Sequence, residues 1–462
     1  MSHISFVHVI DTEGPLYESP AATVQRLQEI TGAKLPDLAP SFLIQQLKAG
    51  LIKLPQSSSH VENILSDHRL HLNPDWQTID VMLEKIGNPK FRNKFLDCEE
   101  RPWALSWFCL DHIGYSENPR KRDIGYHNIF DHYASYRNSL NYGDDIFFHF
   151  HPMSRYNEAH RCATSYSQSP HLYETLCRRL IDRSWFPSAF RAGFQAERPD
   201  SHLFLEQWIP FDFTNMAIEN WESLETHSDF RLGRSGNWKG APCSWEPYHP
   251  DLHDHRKIGN CHRWIARSLN TMNRIAGISI DEIRKAFLDA QKTGNPQIVG
   301  MCGHDWRDLE SEIQFLSKMI FDVASQFPET KIYFDNARTA FQRYLSFFSA
   351  VPPSPDLKVE CFHDTDDFPR IKIELNRGKI FGPQPFLAIK SPSRNYYHDN
   401  LDYYVDSNVW HYAFTPDSID VDDVAELAVG LVDNWGRTVV KNFKREPFSE
   451  GKLRLIPVIT TN

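Results

Sequence analysis

The stretch Ile4-Ser5-Phe6-Val7-His8-Val9-Ile10-Asp11-Thr12-Glu13-Gly14-Pro15 decides how the rest of the chain is read. Ile4 to Ile10 is a short apolar run, which reads as a buried strand. It ends in acidic residues and a Gly-Pro turn. The same pattern recurs at Ala104 to Leu110, Asp145 to Phe150, Ala189 to Phe194, Ile209 to Phe213, Arg263 to Leu269, Gln297 to Cys302 and Lys331 to Phe334. Helical stretches fall between these runs. Trp76 to Ile86 places Ile79, Met82, Leu83 and Ile86 on one face. Ile129 to Leu140, Leu172 to Ile181, a helix ending at Phe204 to Trp208, Ile280 to Ala290, Leu309 to Phe327 and Ala337 to Phe348 continue the series. Strands alternating with helices predict an α/β fold with a parallel sheet covered on its outside. The number of alternations favours a barrel, with an open doubly wound sheet as the alternative. No Gly-rich phosphate loop follows any strand, which disfavours nucleotide binding.

At 462 residues the chain is long enough for a barrel and an appendage. Residues 1–350 read as the barrel, with an insertion at about 16–75 in which Val24 to Ile30 and Ser41 to Leu51 read as helices. Val351-Pro352-Pro353-Ser354-Pro355 reads as a linker. Beyond it, residues 357–462 hold short β-like runs at Val359 to Phe362, Ile371 to Leu375, Phe386 to Lys390 and Trp410 to Phe414. Val421 to Val432 fits helix or strand, and Asn434-Trp435-Gly436-Arg437 reads as a hairpin turn before Thr438 to Val440. The expectation is a small β-rich domain, a sandwich.

The net charge is −10 with no basic block, so nucleic acid is not an expected partner. No apolar run reaches the roughly 18–20 residues of a membrane span. Met1-Ser2-His3-Ile4-Ser5 shows no signal-peptide pattern. The eight cysteines form no CxxC pair and read as reduced thiols, so a cytoplasmic location is expected.

Acidic and histidine clusters fall where strands end. Asp11 and Glu13 follow the first strand, His149 and His151 the third, and His304 and Asp305 the strand through Cys302. In parallel α/β folds the strand ends line one face, and active sites gather there. A two-residue spacing puts both members of each pair on one side of a strand. Glu13, His149 and His151 then form a two-histidine, one-carboxylate set of the kind that binds a catalytic divalent metal, Zn²⁺ above all.

Gly143-Asp144-Asp145-Ile146-Phe147-Phe148-His149 resembles the strand carrying the first metal histidine of the NodB-type polysaccharide deacetylases. The family has a second histidine four residues on. Met153 stands there, and His151 is taken as the substitute. Asp11-Thr12-Glu13 resembles the family's acidic motif, whose first acid is the general base and whose second binds metal, with Glu replacing Asp. Phe190-Arg191-Ala192-Gly193-Phe194 resembles the motif whose arginine orients the base, without its usual proline. Gly303-His304-Asp305-Trp306 resembles the last motif, whose histidine is the general acid. The resemblance covers about residues 1–349. It implies a distorted (β/α)7 barrel of the polysaccharide deacetylase type and a metal-dependent hydrolase acting on an N-acyl sugar or polysaccharide precursor. Asp11, His304 and Arg191 would be catalytic. The closest likeness is to deacetylase-like proteins of surface-polysaccharide biosynthesis.

Two other readings stay open. A glycosidase would need a pair of carboxylates, for which Asp212 in Phe211-Asp212-Phe213 with Asp11 is the candidate. A non-catalytic carbohydrate-binding protein is the other. The aromatic segment from Asn237 to His255 either lines a sugar cleft through Trp238, Trp245 and Tyr248, joined by Trp306, or packs as a surface loop. His249, His253 and His255 within it have metal-like spacing or are simply solvated.

Overall fold

In the computed structural model, the opening run becomes β1 (His3–Thr12), buried along nearly all its length. The structure describes residues 2–54, 65, 72–118, 120–153, 157, 165–225, 235–271, 275–363, 368–446 and 453–458. A strand covered on both faces does not alternate apolar with polar, which explains the continuous apolar reading of β1. Six more parallel strands follow: β2 (Leu105–Cys109), β3 (Asp145–Phe150), β4 (Ala189–Ala192), β5 (Phe211–Asn215), β6 (Trp264–Asn270) and β7 (Gln297–His304). They stand in sequence order, and β1 closes the ring by pairing with both β7 and β2. The closed seven-strand barrel replaces the open-sheet alternative.

An eighth strand, β8 (Lys331–Phe334), competes with β2 for the edge of β1. β8 pairs with His3 to Phe6, and β2 with His8 to Thr12. The ring is therefore closed at the end of β1 where the carboxylates stand.

Each of the seven strands contributes to one apolar cluster: Val7, Val9, Phe108, Phe147, Ala189, Phe211, Phe213, Ala266, Ile298 and Cys302. That shared membership marks the barrel interior. Helix Ala337–Phe348 adds Ala337, Ala340, Phe341 and Tyr344 to it, and Phe341 stacks on Phe211 at 4.2 Å, so this helix plugs the N-terminal mouth. The outward residues Ile10, Leu105, Trp107, Ile265 and Met301 pack beneath the surrounding helices. Period two then decides the other mouth. Asp11 follows Val7 and Val9, His149 follows Phe147, Arg191 follows Ala189, and His304 follows Cys302. The interior turns from apolar to polar over one step of each strand.

The insertion holds helices Pro20–Thr31 and Pro40–Lys48. Leu27, Leu43 and Leu47 of these helices form a small core of their own with Leu65. Part of the insertion lies outside the described residues, as does Cys162. The described cysteines are all free thiols.

After the proline-rich segment come two antiparallel sheets. One contains β9 (Asp356–His363), β10 (Pro369–Arg377), β13 (Asp402–Tyr403) and β14 (Val409–Ala413). The other contains β11 (Phe386–Lys390), β12 (Tyr396–Asp399), β15 (Glu426–Val432), β16 (Thr438–Arg445) and β17 (Leu455–Pro457). Val421 to Val432 resolves as a short 3-10 turn followed by β15, and the β15–β16 hairpin lies where the Asn-Trp-Gly-Arg turn was read. Leu387, Ile389, Leu427 and Val429 face the other sheet's Ile371, Ile373 and Trp410. The opposite face of β11 and β15, through Phe386, Ala388, Ala428 and Val432, packs on Leu172, Leu176, Leu180 and Trp208 of the barrel's helices. A Cβ at Gly430 would lie 2.7 Å from Leu180 Cδ1, so a larger residue there would push the Leu180 side chain aside. This sheet therefore shares a core with the barrel, and the other packs on its far face. No described helix is long and apolar enough to cross a membrane.

Candidate functional site

Strand register brings the site together. Asp11 on β1 is the Cα partner of His304 on β7, and His149 on β3 is the partner of Arg191 on β4. Paired positions on one face are neighbours. Glu13 and His151 extend the same inward faces just past their strands.

His149, His151 and Glu13 converge. The two Nε2 atoms are 2.9 Å apart, and Glu13 Oε1 lies 3.8 Å from His149 Nε2 and 3.7 Å from His151 Nε2. His149 Nδ1 donates to the Arg191 carbonyl at 2.8 Å, so in the neutral ring Nε2 carries the lone pair and faces the cluster. Burial pushes the His151 imidazole down to about 3, with His149 adding to it. Burial opposes charge on His149 too, but Asp11 and Glu13 outweigh it and raise its pKa. Glu13 is held well below the usual carboxylate range: burial works against its charge, and Arg122 and the two histidines overcome it. This buried Glu-His-His group can hold a metal ion. Two imidazole nitrogens and one carboxylate oxygen suit a divalent transition-metal ion, whereas Ca²⁺ and Mg²⁺ want oxygen-rich shells.

Next to the triad stands Asp11. Arg191 Nε donates to its Oδ1 at 2.6 Å, and Arg191 Nη1 donates to the Phe213 carbonyl at 2.7 Å. Asp11 Oδ2 faces His304 Nε2 at 3.7 Å and the Cys302 thiol at 3.6 Å. Arg191 is fully buried and its pKa is raised: burial opposes the charge and Asp11 more than restores it. The carboxylate thus has one oxygen clamped and one turned toward a histidine.

Asp305, read with His304 as chemically capable, serves the backbone. Its two oxygens accept from Glu13 N (3.0 Å) and Gly14 N (2.8 Å), and Tyr133 donates its hydroxyl at 2.9 Å. Burial pushes its carboxyl up to about 7. The run read as a strand to Phe194 ends at Ala192 instead. Phe194 (φ 54°) and Gln195 (φ 50°) then turn left-handed. The turn puts Gly193 against His151: a Cβ on it would lie 2.2 Å from the ring.

Two residues at the site escaped the sequence reading. Arg122 Nη2 donates to Glu13 Oε2 at 2.6 Å, and His112 Nε2 donates to the Glu13 carbonyl at 2.8 Å. His112 follows a strand as His151 does, so the strand-end rule could have found it. Arg122 lies well inside a loop, where no spacing marks it.

Of the aromatic candidates, Trp306 stands at the mouth with its ring 4.4 Å from that of His304. Trp238, Trp245 and Tyr248 are buried in the large outer core. Trp238 donates to the Gln195 carbonyl, Trp245 to the Glu282 carbonyl and Tyr248 to the His255 carbonyl. The packed-loop alternative describes these three. His249 packs against the Trp264 ring, and His255 meets Trp238 edge to face. Asp212 lies between the inward-facing Phe211 and Phe213 and so points out of the barrel, where Thr214 and Arg263 take its two oxygens. It makes no carboxylate pair with Asp11 at the mouth.

No protein-family model, curated protein or solved structure matches the chain.

Proposed function

We propose that this chain is a metal-dependent hydrolase that removes an N-acyl group, acetyl first among candidates, from a sugar or polysaccharide precursor, on a barrel of the NodB deacetylase type. One observation carries the reading. A carboxylate with one oxygen clamped by a buried arginine stands beside a Glu-His-His metal group and faces a histidine across the mouth.

Glu13, His149 and His151 would hold the divalent cation, Zn²⁺ by ligand type, which supplies a Lewis acid for the acyl carbonyl and makes water acidic enough to deprotonate near neutral pH. Asp11 is the base: Oδ2 accepts the proton of the attacking water while Arg191 keeps Oδ1 fixed. His304 is the acid and gives a proton to the departing amine through Nε2. Trp306 supports the His304 ring and offers an aromatic wall to the sugar.

Metal analysis of the purified protein and of His149→Ala comes first. N-acetylated and N-formylated sugar nucleotides and oligosaccharides are then screened for release of acetate or formate. Absence of bound metal in the wild-type protein sinks the proposal. So does hydrolysis that survives chelation, because a carboxylate-only glycosidase needs no metal.

A further inference from the structure

Glu13 has four polar atoms, and the protein engages three of them. Its N–H goes to Asp305 Oδ1 (3.0 Å), its carbonyl accepts from His112 Nε2 (2.8 Å), and Oε2 accepts from Arg122 Nη2 (2.6 Å). Only Oε1 is turned to the two imidazoles. The clamp is built for the purpose. Asn118 holds the backbone of Arg122 at both ends, with Oδ1 accepting from Arg122 N and Nδ2 donating to Arg122 O, each at 2.7 Å. Tyr17 N donates to the Arg120 carbonyl at 3.1 Å, which ties the loop after β2 to the loop after β1. Both side chains of the ion pair are 8% exposed, so water screens it little.

We infer that Arg122 is a positioning residue that restricts Glu13 to one ligand oxygen and so keeps the metal centre at three protein ligands with an open fourth position. The inference rests on the metal reading above. A carboxylate with both oxygens accessible can bind a cation through both, which fills the open position and favours oxygen-preferring ions. A guanidinium on one oxygen removes that option. It also offsets part of the carboxylate charge, so a hard ion gains less than Zn²⁺, which draws on the imidazoles. Lysine would supply the charge without the fixed fork of arginine.

Co²⁺ is the probe, since its visible bands are intense with four ligands and weak with more. Wild-type protein should give the intense spectrum and prefer Zn²⁺ strongly over Mn²⁺ in competition dialysis. Arg122→Gln should weaken the bands and lower the Zn²⁺-to-Mn²⁺ preference by about 10–100-fold, the usual scale for an outer-shell partner. Arg122→Lys should recover part of both. Asn118→Ala, a change at a half-exposed loop residue, should shift both measures the same way by less, and decides the matter if the Gln variant does not fold. An unchanged spectrum and an unchanged preference in Arg122→Gln, or in Asn118→Ala where that variant decides, overturn the inference and leave the metal reading standing. A wild-type protein that takes up no Co²⁺, or a His149→Ala variant that binds it equally well, removes the metal reading and the inference with it.

Discussion

Two buried aspartate–arginine pairs belong to neighbouring parts of one barrel, and they differ in what is left over. Asp11 lies on the inner face and Asp212 on the outer. Arg191 clamps Asp11 through one oxygen, and the other accepts a long hydrogen bond from the Cys302 thiol at 3.6 Å and faces His304 at 3.7 Å. Asp212 has nothing to spare. Thr214 N–H occupies Oδ1, Arg263 occupies Oδ2, and Arg263 also binds Glu197 at 2.9 Å and His202 at 2.8 Å. Burial and the adjacent Glu197 push the Asp212 carboxyl well above its usual range. Both carboxylates are buried against a buried arginine. Uncommitted hydrogen-bonding capacity marks the working pair, and saturation marks the structural one.

The sharpest test separates the pairs by what they lose. Asp11→Asn should lower turnover by about 10²–10⁴-fold, the range for a general base, with metal still bound. The amide oxygen can still accept from Arg191, so stability should fall less than in the Arg263 variant. Steady-state kinetics and thermal melts on one preparation measure both. If His304→Ala, its counterpart on the acid side, keeps wild-type turnover, the acid lies elsewhere.

Arg263→Ala should do the reverse. It strands Asp212 and Glu197 in the interior, and removing one partner of a buried ion pair costs about 3–5 kcal/mol. Urea unfolding should show that loss, and the folded fraction should still bind metal. A variant with wild-type stability would break the comparison.

Gly193→Ala carries the contrast into the backbone. The added Cβ would meet the His151 ring at 2.2 Å, and the ring must move. Metal affinity should drop by about 10–100-fold, the range seen when a ligand's support is lost. Equilibrium dialysis measures it. Full affinity would remove His151 from the ligand set.

The smallest expected effect concerns a buried histidine far from the mouth. His398 lies between Tyr173 and Phe386, ring centroids 4.7 and 4.1 Å away, where the C-terminal sheet meets the barrel's helices. Burial lowers its pKa to about 4. The unfolded chain, with histidine near 6.5, binds the proton more readily, so stability is full above that value and falls as pH drops toward 4. Between pH 7 and pH 5 the loss is about 2 kcal/mol. His398→Asn should flatten that part of the stability profile by a similar amount, and a profile that keeps its slope refutes the assignment.

Chain sequence alone located most of the architecture. The apolar runs of β1, β3, β7 and β11 and the helical faces between the barrel strands are local patterns, and local patterns survive folding where one face or two must be buried. The same logic found Asp11, Glu13, His149, His151 and His304, because a polar residue that ends an inward-facing apolar run has one place to point. Arg191 came from motif resemblance, and its bond to Asp11 reaches across the barrel mouth from β4 to β1, with β2 and β3 between them. What only the tertiary structure decided lies in contacts between segments distant in the chain. Trp238, Trp245 and Tyr248 are aromatic in either reading, and packing alone turned them inward. The double burial of β11 and β15 depends on helices more than 170 residues earlier. Arg122 reaches Glu13 across 109 positions from a loop with no periodicity, and loop side chains are placed by what they fold against.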